Sequence, residues 1–229
     1  MRRGALVGAV LLVVRLAAAQ DQPWRSLFDG TTTTGWVDVT GKPFPTHSWT
    51  VEDGCLKALV RTDGFEDIRT VETFKSFELQ FEWKLAKLGN SGVKYLIQRV
   101  DDWTDKGGRE ARARGFEYQL VDIDGADAGD PTRITGALYG VIAPSNANWK
   151  IGVFNESRII VNGTHVEHWL NGQRVLSYDT TTPAMVTALR NLLPKDAGPS
   201  VPLVTESPIS LQNHSSEVWF RNIKIRTLP

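Results

Sequence analysis

Residues 77–98 read FELQFEWKLAKLGNSGVKYLIQ and contain the clearest hydrophobic pattern in the chain. Apolar and polar side chains alternate over the first nine of these residues, which predicts a half-buried β-strand with one side toward a core. The polar side carries Glu82 and Lys84. Residues 88–92 predict a turn that places Asn90 near the end of this strand before the chain returns. A strand of this kind is typical of a β-sandwich.

A second segment, residues 115–124, reads GFEYQLVDID and repeats the alternation. Its even positions from 116 to 120 are aromatic or aliphatic, so Glu117 and Gln119 point to the opposite side of the strand. Two strands that each carry a carboxylate on a polar face suggest acid–base chemistry.

The composition is that of one globular domain with a sizeable core. The chain has 229 residues, 41% of them hydrophobic, and its formal net charge is zero. A balanced charge gives no electrostatic reason to expect nucleic acid as a partner. The eight tryptophans suit a sandwich core and also suit stacking on sugar rings. The sequence does not identify a protein partner.

The first residues have the pattern of a secretory signal: a basic start, an apolar run and the small residues 17–19. We therefore interpret residues 1–19 as a signal peptide and residues 20–229 as a single domain that is secreted or periplasmic. No later stretch is long and apolar enough to cross a bilayer, so an integral membrane protein is not expected. The lone Cys55 allows no intrachain disulfide and is expected to be buried.

Further turn and strand signals predict an all-β fold, a two-sheet antiparallel β-sandwich of the jelly-roll type. Hairpin turns are predicted at Asp53-Gly54, Asn162-Gly163 and Asn171-Gly172. Residues 137–142 are predicted to form another strand, and residues 99–114, rich in both charges, a surface loop. The spacing of apolar residues within 183–200 predicts a short helix.

Two features bear on metal binding. Residues 122–131, DIDGADAGDP, are acidic but lack the glycine and glutamate positions of the helix-loop-helix calcium motif, so we interpret them as an exposed loop. None of the four histidines has metal-ligand spacing, and His168 shares its parity with apolar neighbours, which favours packing over ligation. We predict no transition metal and no cofactor.

Several short motifs occur in a characteristic order, namely FDG, GW, VEDG, FELQFEWKL, GNSGV, GFEYQLVD, VEHWLNG, SLQNH and FRNIKI. Together they resemble the 3-keto-disaccharide hydrolase family from about residue 27 to residue 228. The resemblance implies a concanavalin-like jelly roll whose relatives cleave glycosides already oxidised to a ketone at C3, with a sugar as the substrate. Residues 152–155, GVFN, and Ser215 depart from the family pattern.

Cleavage of a 3-keto-glycoside needs a base, an acid and donors for a developing oxyanion. The candidate catalytic residues are a carboxylate pair and a histidine that continues a polar row: Glu82, Glu117 and His214. The candidate substrate-binding residues are cationic or amide side chains on the same predicted faces: Lys84, Asn90, Lys94, Gln119 and Gln212. Elimination with later addition of water and direct hydrolysis by two carboxylates both remain open.

Two other functions remain open. A β-sandwich of this kind also serves as a non-catalytic carbohydrate-binding, lectin-like domain, which relies on aromatic platforms and needs no titrating carboxylate. A structural or adhesive secreted domain is the third possibility, although it leaves the polar row that contains Glu82 and Lys84 without a function.

Overall fold

The computed structural model describes residues 22–122, 124 and 129–229. The predicted signal peptide, residues 1–19, and half of the acidic loop, including Asp127, lie outside the described residues. Across the described residues, no helix has both the length and the apolar character required to cross a membrane.

The described chain forms two sheets, whose strands we number in chain order. The eight-stranded sheet runs in the order β12 (Gln173–Asp179), β11 (His165–Leu170), β10 (Asn155–Asn162), β7 (Phe77–Leu85), β14 (Val218–Thr227), β4 (Cys55–Ala58) and β3 (Trp49–Glu52), with β1 (Arg25–Ser26) paired to β14. The six-stranded sheet runs in the order β2 (Trp36–Asp38), β6 (Ile68–Thr70), β13 (Ser210–Leu211), β8 (Asn90–Asp105), β9 (Gly108–Val121) and β5 (Gly64–Glu66). The pairings are antiparallel except that β5 runs parallel to β9.

The core lies between the two sheets, where alternate side chains of each strand meet. The five apolar residues of β7 are at most 1% exposed, as the alternation predicts. Phe81 of β7 packs edge-on against Tyr118 of β9, with ring centroids 6.0 Å apart. Trp83 donates to Ser157 Oγ at 2.8 Å, and Ser157 donates to the Tyr118 hydroxyl at 2.9 Å. The predicted two-sheet sandwich is therefore confirmed.

The predicted surface loop over residues 99–114 is wrong. This segment continues β8 and β9 as a long hairpin, paired from Arg99↔Arg114 to Asp105↔Gly108. Ala111 and Ala113 are buried, and they alternate with Arg112 and Arg114, which are only partly buried. The alternation was hard to recognise because its apolar members are small and its polar members carry full charges.

Three smaller elements also differ in part from what the sequence predicts. Residues 137–142 form a turn with isolated bridges at Leu138 instead of a strand. The helix, α1 (Pro183–Arg190), is shorter than the predicted region and buries Met185 and Leu189. Two of the predicted hairpin turns are found where expected, whereas the β10–β11 turn lies one residue later, at Gly163-Thr164.

Candidate active site

A cleft of about 440 Å³ lies on the outer face of the six-stranded sheet. Six of the eight predicted site residues line it, and they come from β8, β9 and the segment that follows β13: Asn90, Lys94, Glu117, Gln119, Gln212 and His214. The strand register explains this arrangement. Lys94 of β8 lies directly opposite Glu117 of β9, and their chain neighbours Tyr95 and Phe116 point into the core.

An ionic cluster forms the floor of the cleft. Lys94 is only 3% exposed, and its Nζ lies 2.8 Å from Asp67 Oδ2 and 3.9 Å from Glu117 Oε2. Asp67 is fully buried and lies between β5 and β6. Asp67 is not predicted from the sequence, because a single aspartate between two short strands carries no pattern. One buried ammonium group is therefore shared unequally by two carboxylates.

The carboxyl of Glu117 is poised for proton exchange. Burial raises its pKa above the usual range, although the positive charge of Lys94 opposes this effect. The side chain packs directly against the backbone of Gly92, where a larger residue would displace it. Glu117 is thus a carboxyl group that binds a proton more readily than an exposed glutamate does.

The pKa of His214, the histidine of the cleft, is shifted in the opposite direction to that of Glu117. Partial burial of the His214 ring and the positive charge of Arg112 lower its pKa below the usual value. The ring lies beside Phe65, with centroids 6.3 Å apart, and the guanidinium carbon of Arg112 lies 4.2 Å from the centre of the Phe65 ring. Arg112 also donates to the carbonyl of Asn213 at 3.3 Å. Arg112 thus anchors the backbone next to His214, and the lowered pKa leaves the imidazole neutral near pH 7.

The amide side chains of the cleft supply hydrogen-bonding groups. In one orientation of its side-chain amide, Gln119 Nε2 donates to Asn90 Oδ1 at 3.2 Å. When the amide oxygen and nitrogen are exchanged, the Gln119 nitrogen donates instead to Glu117 Oε1 at 3.0 Å. The backbone of Gln212 is fixed to β8, because its carbonyl accepts from Ser91 Oγ at 2.7 Å and its N–H donates to Gly92 at 2.9 Å.

Other residues of the cleft were missed by the sequence analysis. They come from the β8–β9 hairpin and the turn at residues 137–142: Trp103, Arg112, Arg114 and Tyr139. The signal that could have revealed three of them is the Ala-Arg-Ala-Arg alternation of residues 111–114 together with its partner strand, which was interpreted as a loop. The cleft thus combines aromatic surface with positive charge.

The structure does not bring Glu82 and Lys84 to this cleft, so the expected carboxylate pair of Glu82 and Glu117 does not form. Glu82 lies on the outer face of the eight-stranded sheet, where it accepts from Arg221 and Asn222, each at 2.7 Å. Burial alone would raise the pKa of Glu82, but the hydrogen bonds from Asn222 and Arg221 outweigh it, and the pKa is lowered. Lys84 lies over the ring of Trp219, 4.1 Å from its centroid.

The reason is one of topology. The polar parity of β7 is correct, but β7 and β9 belong to different sheets, so their outward faces lie on opposite sides of the sandwich. Glu78 of the same polar row is buried between Arg158 and Arg226. The polar row of β7 consequently stabilises the outer face of its own sheet.

His168 packs in the core, as its parity predicts. It is fully buried, with Nε2 2.6 Å from the Tyr95 hydroxyl and Nδ1 3.0 Å from the Gly136 carbonyl. Burial lowers the pKa of His168 to about 4. Within the part of the chain that the structure describes, no group of three or more acidic, histidine or cysteine side chains is arranged to hold a metal ion.

Gly92 offers a test of the cleft that leaves its chemical groups unchanged. In Gly92→Ala, the new Cβ would lie 2.7 Å from both Cγ and Cδ of Glu117, so the carboxyl must move. Because a displaced catalytic group can cost about 10²-fold in rate, we expect a loss of that size in the activity of the cleft. The melting temperature should change little, because the displaced atoms belong to the outer part of the flexible Glu117 side chain. Gly198→Ala, which meets no atom within 4 Å, is the matched control.

Comparison with known proteins points to one family. The model of the family described as the 3-keto-alpha-glucoside-1,2-lyase-like domain matches residues 23–226. A 3-keto-disaccharide hydrolase from Bacteroides thetaiotaomicron is 34% identical over 228 residues, which cover 89% of this chain and 78% of the relative. All six predicted site residues that line the cleft lie within the matched region.

Solved structures support the same fold. A crystal structure of a candidate glycosyl hydrolase from Parabacteroides distasonis is 27% identical, with a TM-score of 0.72 over 92% of this chain and 100% of that one. The carbohydrate binding module CBM66 from Bacillus subtilis is 13% identical, with a TM-score of 0.50 over 85% of this chain and 96% of that one. At this lower identity, the second comparison shows a shared fold alone.

Proposed function

Because the chain belongs to the 3-keto-alpha-glucoside-1,2-lyase-like family, we propose that it cleaves the glycosidic bond of 3-keto-glycosides in the cleft of the six-stranded sheet. The name of the relative, a 3-keto-disaccharide hydrolase, supports this substrate class. The route that the cleft supports best is elimination followed by addition of water.

The chemistry of the substrate explains why a base is needed. A ketone at C3 acidifies the hydrogen on C2, so a base can remove that proton and form an enolate. The enolate re-forms the ketone as the bond from C1 to the glycosidic oxygen breaks, and an acid supplies the proton that the leaving oxygen takes up. Water then adds to C1 of the enone while C2 receives a proton, so the net reaction is hydrolysis.

His214 and Glu117 fit the two proton-transfer roles. Groups whose surroundings push their pKa values in opposite directions are suited to act as base and acid. His214, with its lowered pKa, is neutral near pH 7 and takes the C2 proton. Glu117, with its raised pKa, retains a proton more readily and gives it to the leaving oxygen.

One feature favours elimination over direct hydrolysis. Among the described residues that line the cleft, Glu117 is the single carboxylate. A glycosidase that acts without a ketone uses a second carboxylate, as nucleophile or as base. Elimination needs one acid, one base and a stabilised oxyanion, which Glu117, His214 and the positive charges of Lys94 and Arg112 supply. It also accounts for both names, lyase for the family and hydrolase for the relative.

The substrate class is tested by incubating the protein with 3-keto-trehalose, 3-keto-sucrose and the unoxidised parent sugars. We expect cleavage of at least one 3-keto substrate and none of its parent, because only the ketone makes C2 acidic. Cleavage of the parents at a similar rate contradicts the elimination route. Binding of 3-keto sugars without turnover supports instead the lectin-like function, which the aromatic side chain of Trp103 in the cleft would serve.

A further inference from the structure

Asp67 joins three parts of the structure that build the cleft. Its Oδ2 accepts from Lys94 Nζ at 2.8 Å and from the backbone N–H of Ala113 at 3.1 Å. Its Oδ1 accepts from the backbone N–H of Asn213 at 3.2 Å. One carboxylate thus links β8, β9 and the segment that carries His214. It is fully buried and therefore cannot touch a substrate in the cleft.

The position of Lys94 determines how strongly it acts on Glu117. Its ammonium group is hydrogen-bonded to Asp67 and lies 3.9 Å from Glu117, beyond hydrogen-bonding distance. A closer ion pair would stabilise the ionised form of Glu117, which has no proton to donate to the leaving oxygen at neutral pH. The pull of Asp67 on Lys94 avoids this outcome.

We propose that Asp67 is a positioning residue of the active site, which holds the Lys94 ammonium group away from Glu117 and fixes the backbone beside His214. This role rests on the proposed function, because it assigns proton transfer to Glu117 and His214. Asp67 acts through Lys94 and has no contact with the reacting atoms.

Removal of the Asp67 charge has a defined electrostatic consequence. The charged groups around Glu117 come from three elements: Lys94 of β8, Asp67 of the β5–β6 junction, and Arg112 and Arg114 of β9. His214 lines the same cleft. Asp67 raises the pKa of Glu117 and Lys94 lowers it. In Asp67→Asn, the charge of Lys94 is no longer offset, so the pKa of Glu117 must fall.

The test compares Asp67→Asn, Lys94→Met and the double variant. We expect Asp67→Asn to lower kcat about 10²-fold with a smaller effect on KM, and to move the pH-rate limb of Glu117 to lower pH. The double variant should be no worse than Lys94→Met, because residues that act through one another are not additive. Asp102→Asn, a paired carboxylate of the same sheet outside the cleft, should keep normal activity and an unshifted profile.

A substrate-free readout separates this role from the proposed function. The titration of Glu117, followed by carbon-13 NMR of its carboxyl, should shift to lower pH in Asp67→Asn even if no 3-keto sugar is cleaved. An unshifted titration, or a double variant with additive losses, overturns the positioning role. If Asp67→Asn does not fold, the double variant carries the test, since removing both members of a buried ion pair is often tolerated.

Discussion

Replacing Glu117 with glutamine is expected to lower kcat by roughly 10² to 10⁴ while binding of the 3-keto substrate stays within a few-fold of normal. Glutamine keeps the size and much of the hydrogen bonding of glutamate but cannot give a proton to the leaving oxygen. The fold should be preserved, because Lys94 retains its 2.8 Å contact with the buried Asp67. Single-turnover kinetics and calorimetric titration with the same substrate measure the two effects separately.

The matched control for Glu117→Gln is Glu82→Gln. Glu82 is the same residue type on an outward sheet face, but its partners are Arg221 and Asn222 on the other side of the sandwich. We expect full activity and at most a modest loss of stability, since a partly exposed ion pair contributes about 1 kcal/mol or less. Equal losses in both variants would show that the cleft of the six-stranded sheet has been wrongly identified.

Replacing His214 with glutamine is the second large effect that we expect, again roughly 10² to 10⁴ in kcat, because the base for the C2 proton is lost. In the unmodified protein, activity should fall as the pH drops through the pKa of His214, since a protonated imidazole cannot accept a proton. Because that pKa is lowered from 6.5, this acid limb should lie below pH 6.5. A pH-rate profile of kcat/KM measures the limb.

Substitution of Arg112 tests whether the acid limb of the pH-rate profile comes from His214. The positive charge of Arg112 lowers the pKa of His214, so Arg112→Gln should move the acid limb to higher pH. In His214→Gln the limb should disappear from the remaining activity. An acid limb that stays at the same pH in both variants would assign it to another group and remove His214 from the role of base.

Much of the fold follows from local patterns, but the assignment of strands to sheets does not. The alternation in β7 correctly places Phe81 and Trp83 in the core and Glu82 outside. A strand's parity tells which side faces the core but not which sheet the strand joins. That choice depends on pairing with β10 and β14, which lie far along the chain.

The same limit explains what was found and what was missed at the candidate site. Lys94, Gln119 and Glu117 were identified because each stands on the polar parity of a recognisable strand, and the two strands are neighbours in one sheet. Asp67 has no such pattern, since its importance comes from hydrogen bonds to residues 27 and 146 positions away. Contacts of this range are set by packing and leave no local trace in the sequence.

The elimination route is tested most directly by following hydrogen at C2 during turnover in deuterium oxide. The route predicts deuterium from water at C2 of the released 3-keto sugar, at early times and in step with bond cleavage. The 3-keto sugar kept for the same time with His214→Gln, which lacks the proposed base, controls for spontaneous exchange through the enol. Cleavage that leaves the original hydrogen on C2 would contradict elimination and would show that the glycosidic bond is broken by direct hydrolysis.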